Sequence, residues 1–252
     1  MGKRAPHPAL SRRERENRTM LSIVATPIGN LGDITLRAIE TLKTCDAIVC
    51  EDTRVTGNLL KLLGIPKKEL ISFHGHTHPQ KIDAILERLA KGQHLALVSD
   101  AGTPCISDPG YALVAAVVQH RTQFSIFNFQ FSIQVIPGPS AFLTALSASG
   151  LPINQFLYLG FLPIKKGRQT LLRSLAIEER TIVFYESVHR IERTLQELAE
   201  VFSDQPHREI VIARELTKLH DEVMHTTIVD LPNIASTITK KGEFVIVIGP
   251  KM

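Results

Sequence analysis

Small, polar and turn-forming residues are concentrated in three short segments of the sequence, and each segment follows a run typical of a β-strand. The segments are residues 26–33, 99–110 and 137–141. Open α/β sheets bind ligands in loops at the carboxyl ends of their strands, where glycine lets the backbone approach a ligand closely. Three such loops in one half of the chain predict one shared ligand cleft.

The first segment, Thr-Pro-Ile-Gly-Asn-Leu-Gly-Asp, contains two glycines and a proline. It lacks the Gly-x-Gly-x-x-Gly spacing of dinucleotide-binding loops and the lysine of a phosphate-binding loop. An ordinary turn in which Asp33 caps the following helix remains an alternative. The third segment, Pro-Gly-Pro-Ser-Ala, is likewise either a ligand loop or a plain capping turn.

The second segment places two carboxylates, Asp100 and Asp108, among two glycines and two prolines. Asp108 precedes a proline and is well placed to cap a helix. Asp100 lies at the end of a predicted strand, where functional side chains of α/β proteins are found. We therefore expect a functional role for Asp100 and a structural role for Asp108.

The elements that would position these loops alternate between β-branched runs and amphipathic stretches, which predicts an α/β fold with largely parallel sheets. Strands are predicted at residues 21–25, 47–50, 70–73, 95–98, 133–136, 156–159, 182–185, 210–213, 223–228 and 244–248. Helices are predicted at residues 34–42, 57–63, 82–89, 141–148 and 191–201.

Four prolines between residues 137 and 163 indicate a domain boundary. We assign residues 20–137 to an N-terminal α/β domain and residues 138–252 to a C-terminal α/β domain. Within the second range, residues 138–163 form a crossing helix and a linker.

The chain has 252 residues, 44% of them hydrophobic, and a formal net charge of +4. Residues 1–19 carry six basic and two acidic residues, so the excess charge lies in this tail, which we predict to be disordered. A start at Met20 is the alternative to a native tail. No apolar run reaches the roughly 18 to 20 residues of a membrane helix. The three cysteines form no Cys-x-x-Cys, so we expect a soluble, cytoplasmic protein without disulfides.

Seven segments resemble, in order, the motifs of the tetrapyrrole methylase family, and in particular those of its members that methylate ribosomal RNA. They are Thr-Pro-Ile-Gly-Asn-Leu (26–31), Glu-Asp-Thr-Arg (51–54), Ser-Asp-Ala-Gly-Thr-Pro (99–104), Pro-Gly-Pro-Ser-Ala (137–141), Gly-Phe-Leu-Pro (160–163), Phe-Tyr-Glu-Ser-Val-His-Arg (184–190) and Arg-Glu-Leu-Thr-Lys (214–218). The resemblance implies two α/β domains with S-adenosylmethionine in the cleft between them. It also implies 2′-O-methylation of a cytidine in the decoding region of 16S ribosomal RNA, within the 30S subunit, by a cytoplasmic homodimer.

The resemblance further implies which residues contact the cofactor. They are Pro27, Ala101, Gly102, Thr103, Ile106, Ser140, Ala141, Glu186, Leu216 and Thr217. Thr103 stands where the small-molecule methylases of the family have an aspartate. This departure argues against a corrin or porphyrin substrate.

Methyl transfer to a ribose hydroxyl needs a proton acceptor, because the hydroxyl is a poor nucleophile. We rank Asp100 first, since it lies at a strand end beside the implied cofactor loop. The other candidates are Glu51, Asp52, His74 and Glu215. His74, His76 and His78 lack an Asp, Glu or Cys at metal-ligand spacing, which favours RNA contact or solvent exposure over a metal site.

RNA contacts are predicted from local basic patches, because the chain after residue 19 carries no net charge. The predicted contacts are Arg54, Lys165, Lys166, Arg168, Arg190 and Lys218. The basic loop at residues 165–168 is the patch that we favour, and a solvated helix face is the alternative for each.

Two features depart from the family pattern. Residues 119–134 form an insertion in which Phe127, Phe129, Phe131 and Ile133 alternate as one strand face. The chain also stops at Met252, where many members carry a small helical extension. Two other functions stay open: a tetrapyrrole C-methyltransferase, which shares the fold, and a ribosome-assembly factor without catalytic activity, which these two departures make conceivable.

Overall fold

The computed structural model describes residues 20–75, 79–123 and 132–251. Three sequence predictions therefore fall outside the described residues. They concern the basic tail at residues 1–19, His76 with His78, and residues 124–131 of the insertion.

The chain divides into two compact units. The first contains residues 20–26 and Ile34–Gly138, and the second contains Pro27–Asp33 and residues 139–251. The segment Pro27–Asp33 thus groups with the second unit, although it lies within the range that the sequence assigns to the first domain.

The first unit alternates strands and helices. Its strands are β1 (Met20–Val24), β2 (Ala47–Cys50), β3 (Glu69–Ser72), β4 (His94–Leu97) and β5 (Ser132–Ile136). Its helices are α1 (Leu36–Thr44), α2 (Thr53–Leu62), α3 (Pro79–Ala90) and α4 (Gly110–Gln123). Thr35 caps α1, because its side chain accepts the amide hydrogen of Ala38 at 3.0 Å. The alternative that Asp33 caps this helix is therefore wrong.

The strands described in the first unit all run parallel, in the order β3-β2-β4-β1-β5. The central strands are nearly all apolar because helices cover both faces of the sheet. Leu89 of α3 and Leu113 of α4 pack on one face, and Leu42 of α1 and Leu60 of α2 pack on the other. The parallel order brings the carboxyl ends of β1, β2 and β4 to one edge.

The second unit contains five further strands and the helices that cover them. The strands are β6 (Phe156–Phe161), β7 (Thr181–Ser187), β8 (Glu209–Arg214), β9 (Glu222–Thr227) and β10 (Glu243–Ile248). The helices are α5 (Ala141–Ala148), α6 (Arg168–Ala176), α7 (Ile191–Val201) and α8 (Leu231–Thr237).

The sheet of the second unit has the order β6-β7-β10-β8-β9. Only β6 and β7 pair in parallel, and the other neighbours are antiparallel. The prediction of largely parallel sheets is therefore wrong for this unit. For β8 and β9 the reason is their connection, which is too short for a parallel crossover. Phe184 and Phe244 pack under α6, α7 and α8, whereas Val245 packs on the opposite face with α5 and Ile28.

The predicted insertion at residues 119–134 overlaps two regular elements. α4 extends to Gln123, and β5 begins at Ser132 and pairs with β1. No helix among the described residues combines the length and the apolar character needed to cross a bilayer.

Candidate functional site

Three carboxylates meet where β2 and β4 end. Glu51 and Asp52 follow β2 directly, and Asp100 lies in the loop after β4. The amide of Asp52 donates to Asp100 Oδ1 at 3.1 Å, and Glu51 lies near enough to Asp100 for its pKa to respond to the backbone and the charge of Asp100. The proton acceptor ranked first by the sequence is thus held beside two of its alternatives, because β2 and β4 are neighbours in the sheet.

Glu51 is a carboxylate of this cluster with a raised pKa. Burial raises its pKa above the usual value, and the charges of Asp108 and Asp100 raise it further. Raised carboxyl pKa values are typical of acid–base sites, because such a group accepts a proton more readily. Asp100 is exposed, so its carboxylate is accessible to a substrate hydroxyl.

Asp52 has a mainly structural role. Its Oδ1 accepts the amide of Arg54 at 2.8 Å and caps α2, and Arg54 Nη2 lies 2.6 Å from Asp52 Oδ2. The bound Arg54 holds the pKa of Asp52 well below its usual range, so Asp52 is a poor proton acceptor. The Arg54 side chain is 89% exposed and remains accessible to a phosphate.

Gly102 ties the loop after β4 to the end of β1. Thr26 donates its amide to Gly102 O at 2.9 Å, and Gly102 donates its amide to Thr26 O at 3.1 Å. Gly102 has a φ of 82°, which L side chains rarely adopt. Its backbone groups are used within the protein, so it shapes the loop and offers no free amide to a cofactor.

The rest of this loop is held by Asp108. Its carboxylate accepts the amides of Cys105 and Gly110, each at 2.7 Å, which confirms the predicted capping role at the start of α4. Cys105 and Ser107 have φ values of 72° and 61°. Such non-glycine conformations are strained and cluster at functional sites. Between them Ile106 is 38% exposed and presents an apolar side chain.

In the second unit, the segment Pro27–Asp33 packs against the turn that follows β8. A Cβ atom on Gly29 would lie 2.4 Å from Lys218 Cγ and 2.9 Å from Thr217 Oγ1, so the contact requires glycine. Glu215 and Thr217 in this turn have φ values of 51° and 65°. This contact and the burial of Ile28 in the core beneath α5 hold the segment to the second unit.

Two buried polar atoms of the second unit have no hydrogen-bond partner among the described residues: Asp33 Oδ2 and Thr217 Oγ1. Buried polar atoms are otherwise nearly always satisfied. S-adenosylmethionine carries hydroxyls, an amino group and a carboxylate, so it could satisfy such atoms. Thr217 therefore fits the implied cofactor, and Asp33 is a second fitting group, missed because its sequence position resembles a helix cap.

Ser140 precedes α5 without capping it. Ser140 and the backbone of Phe142 instead lie close to the hydroxyl of Tyr185 and partly offset the effect of its burial on its pKa. Burial raises the pKa of Tyr185, so this residue acts as a neutral partner at the start of α5. Sequence analysis missed Tyr185, since only the fold brings β7 to this helix.

The other residues implied for the cofactor differ in exposure. In the first unit, Ala101 is exposed and Thr103 is half-buried. In the second unit, Pro27 and Ala141 are half-buried, and Leu216 packs into the core. At these positions, a cofactor could therefore be contacted by backbone groups or short side chains.

Glu186 is buried and fully engaged by the protein. Its Oε1 lies 2.8 Å from Arg190 Nε and accepts the amide of Ser187 at 2.7 Å. Its Oε2 accepts the hydroxyl of Thr194 at 2.6 Å. The expectation that this side chain contacts the cofactor is corrected, because its carboxylate is satisfied internally.

Arg168 is 2% exposed, which corrects the expectation that it binds RNA. Its Nε lies 2.7 Å from Glu197 Oε2, and its Nη2 donates to Thr194 Oγ1 at 2.7 Å. Its Nη1 donates to Pro163 O at 3.1 Å. Arg168 therefore anchors the basic loop from inside.

Arg190 is also turned inward. Besides its contact with Glu186, its Nη1 donates to Leu162 O at 2.9 Å, so the expected RNA contact is corrected to a structural one. Lys165 and Lys166, by contrast, are exposed. The two lysines are the part of the predicted basic loop that is accessible to RNA.

Lys218 completes the set of predicted cations. Its ammonium group lies 2.8 Å from carboxylate oxygens of both Glu215 and Glu243, so the expectation of an RNA contact is corrected. The same lysine lowers the pKa of Glu215, which makes Glu215 a weak proton acceptor. His74 is exposed in the loop after β3.

Comparison of the sequence with known proteins identifies the family of this chain. The sequence matches the family described as "Tetrapyrrole (Corrin/Porphyrin) Methylases" over residues 20–232. It is 45% identical over 230 residues to ribosomal RNA small subunit methyltransferase I of Synechocystis sp., covering 91% of this chain and 78% of that protein. The protein of the same name from Thermotoga maritima is 42% identical, with 92% and 98% covered.

Solved structures share the fold. The methyltransferase CobJ is similar with a TM-score of 0.66 at 21% identity, covering 92% of this chain and 94% of that one. Uroporphyrin-III C-methyl transferase from Thermus thermophilus, complexed with S-adenyl homocysteine, gives a TM-score of 0.61 at 17% identity, with 91% and 97% covered. The predicted α/β tetrapyrrole methylase fold is confirmed. The chain therefore belongs to the tetrapyrrole methylase family, together with the ribosomal RNA small subunit methyltransferase I proteins.

Proposed function

We propose that this protein methylates the ribose 2′-hydroxyl of a cytidine in the decoding region of 16S ribosomal RNA. As a member of its family it is an S-adenosylmethionine-dependent methyltransferase of small-subunit ribosomal RNA. The observation that carries the proposal is a contrast in identity. The chain is 45% identical to a ribosomal RNA enzyme, but only 21% and 17% identical to CobJ and to a cobalt precorrin-4 methyltransferase.

S-adenosylmethionine supplies an electrophilic methyl group on a sulfonium sulfur. The protein must therefore align the acceptor hydroxyl and hold the cofactor in place, which is positioning more than covalent chemistry. For the cofactor we assign the loop shaped by Gly102, with Ala101, Thr103 and Ile106, and in the second unit Pro27, Ser140, Ala141, Leu216 and Thr217. The unsatisfied hydroxyl of Thr217 is the strongest support for this assignment.

We propose that Asp100 accepts the proton of the ribose 2′-hydroxyl. Its carboxylate is exposed, and the amide of Asp52 holds it in place. Glu51 lies beside it with a raised pKa and is the alternative acceptor. Asp52 and Glu215 are weaker acceptors because Arg54 and Lys218 lower their pKa values.

RNA binding is assigned to Arg54, Lys165 and Lys166. All three are exposed cations, and Lys and Arg neutralise phosphates in a salt-dependent way. Arg168, Arg190 and Lys218 are left out of this assignment because carboxylates of the protein hold them and their side chains are buried or half-buried, whereas the Arg54 side chain is exposed although it pairs with Asp52.

The substrate context is also part of the proposal. We infer that the protein acts in the cytoplasm on the 30S subunit and that two copies form a homodimer. The location, the 30S substrate and the homodimer are all inferred from the resemblance of the seven motifs to those of the family. Sedimentation of the purified chain would test the dimer directly.

The test is transfer of a labelled methyl group from S-adenosylmethionine to isolated 30S subunits, followed by mapping of the modified nucleotide. We expect a single 2′-O-methylated cytidine. Transfer to a porphyrinoid and not to RNA would overturn the proposal, as would cofactor binding without any transfer. Subunits that already carry the modification serve as the control.

A further inference from the structure

A β-bulge near the end of β6 changes the direction of one aromatic side chain. Tyr158 pairs with Val183, but the next pair is Phe161 with Tyr185, so β6 advances three residues while β7 advances two. Gly160 within the bulge has a φ of 62°. Without the extra residue, Phe161 would face the opposite side of the sheet. Bulges that redirect a side chain are frequent beside functional sites.

The redirected ring is supported on one side and open on the other. Phe161 is 54% exposed, and its ring centroid lies 5.4 Å from that of Tyr185. Tyr185 contacts Tyr158 at 5.8 Å, and Tyr158 contacts the buried Phe142 at 4.4 Å. A row of rings therefore runs from the core to the surface and fixes the last ring in place.

The part of the sequence that contains Phe161 is positively charged. Residues 156–176 contain four basic residues and no Asp or Glu. Lys165, Lys166 and Arg173 are exposed, and no carboxylate within the described ranges forms a salt bridge with them. An exposed aromatic ring beside cations is what single-stranded nucleic acids bind, by base stacking and by phosphate neutralisation.

Two arginines, the buried Arg168 and the half-buried Arg190, fix the start of the connection between the ring and the lysines. Arg190 binds the carbonyl of Leu162 and Arg168 binds the carbonyl of Pro163. Both guanidinium groups are held by carboxylates, Glu186 and Glu197. The loop from Leu162 to the lysines is therefore anchored at its start, directly after Phe161, and the lysines follow two and three residues after the anchored Pro163.

We propose that Phe161 is a stacking platform for an unpaired base of the RNA substrate, and that Lys165 and Lys166 bind the phosphates of the same strand. This inference deepens the proposed function, on which it rests. The alternative partner for the exposed ring of Phe161 is a second copy of the chain. Two-fold packing of this patch on itself would oppose lysine with lysine, so charge favours RNA.

The experiment uses Phe161→Leu, Phe161→Trp and the control Leu62→Ala, which removes an exposed apolar side chain of the first unit. The probe is a single-stranded RNA oligonucleotide of the decoding-region sequence containing 2-aminopurine, and its duplex form is measured alongside. Phe161→Leu should weaken binding of the single strand about 5- to 100-fold and abolish the quenching of 2-aminopurine. Phe161→Trp and Leu62→Ala should retain both.

The same variants are assayed for methylation of 30S subunits. We expect Phe161→Leu to raise KM without a matching loss of kcat and to leave the affinity for S-adenosylmethionine unchanged. Equal binding of the single strand by Phe161→Leu and the parent would overturn the stacking role. So would a parent dimer that becomes a monomer in Phe161→Leu, because a second copy would then cover the ring.

The two proposals fail in different ways. If the parent quenches 2-aminopurine but does not methylate 30S subunits, the proposed function is wrong and the stacking role stands. If the parent methylates 30S subunits and Phe161→Leu has unchanged KM and quenching, only the stacking role is wrong.

Discussion

Arg168 and Glu197 form an ion pair in the interior of the second unit, with Arg168 Nε 2.7 Å from Glu197 Oε2. Arg168 begins α6 and Glu197 lies in α7, so the pair joins two helices that cover the same face of the sheet. The same guanidinium holds the carbonyl of Pro163. The packing of the two helices and the shape of the exposed basic loop therefore depend on one side chain.

Replacement of Arg168 by methionine should destabilise the protein strongly. It would leave the buried Glu197 with only the exposed Arg193 as an ion-pair partner, whereas Glu186 keeps Arg190. Breaking a buried ion pair costs up to about 3 to 5 kcal/mol of unfolding free energy. The measurement is urea denaturation followed by circular dichroism. Arg173→Met is the matched control, because Arg173 is exposed in the same helix and its loss should change the unfolding free energy by less than about 0.5 kcal/mol. Equal midpoints for the two variants would contradict the buried pair.

Asp100→Asn tests the proposed proton acceptor. The amide keeps the shape and can still accept the Asp52 amide hydrogen, but it cannot take a proton from the ribose hydroxyl. Turnover should fall about 10²- to 10⁴-fold with little change in RNA affinity. Asp83→Asn, at an exposed position of α3, is the control and should leave kcat unchanged. Normal turnover by Asp100→Asn would move the role to Glu51, which Glu51→Gln then tests.

Thr217→Val separates binding from stability. The hydroxyl of Thr217 is buried without a partner, so its removal should leave the unfolding free energy unchanged or slightly higher. If the hydroxyl binds S-adenosylmethionine, calorimetry should show an affinity about 2- to 10-fold lower. Thr239→Val, at an exposed position, controls for the added methyl group. A stability loss with unchanged affinity would mean that the hydroxyl serves the fold.

His94 should make stability depend on pH. Burial lowers its pKa below the usual value of 6.5, although the charge of Asp46 opposes this shift. The unfolded chain therefore binds a proton at a higher pH than the folded protein, and stability falls as the pH decreases through about 6.5 towards the folded pKa. Urea denaturation at pH 7.5 and 5.5 should show this loss for the parent and a smaller loss for His94→Gln. The same loss in both proteins would assign the effect to other groups.

The strands could be predicted well because a buried strand corresponds to a short run of apolar residues in the sequence. The range 47–50 coincides with β2, and 141–148 coincides with α5. α6 was not predicted, since its basic N-terminal residue is buried and obscures the amphipathic pattern. The strand directions of the second sheet were also missed, because apolar runs carry no information about direction.

The site residues that could be predicted are those whose positions follow from the local sequence pattern. The environment of a side chain could not be predicted where it depends on a residue far away in the sequence. Asp100 and Glu51 come together because neighbouring parallel strands end at one edge. Arg168 looked like a surface cation after two lysines, but Glu197 lies 29 positions away and neutralises it. Nothing in the local sequence distinguishes that case from the exposed Lys166.

The grouping of Pro27–Asp33 with the second unit affects how the protein can be divided and how it folds. A fragment that begins at Pro139 would lack Ile28, a buried member of the core beneath α5, and Gly29, which packs against Thr217. No single cut in the chain separates the units intact. During synthesis, the segment Pro27–Asp33 is made before most of the first unit. It can pack only after the rest of the second unit has been made. Closing so long a loop adds an entropic penalty, so we expect the docking of this segment to be a late step in folding.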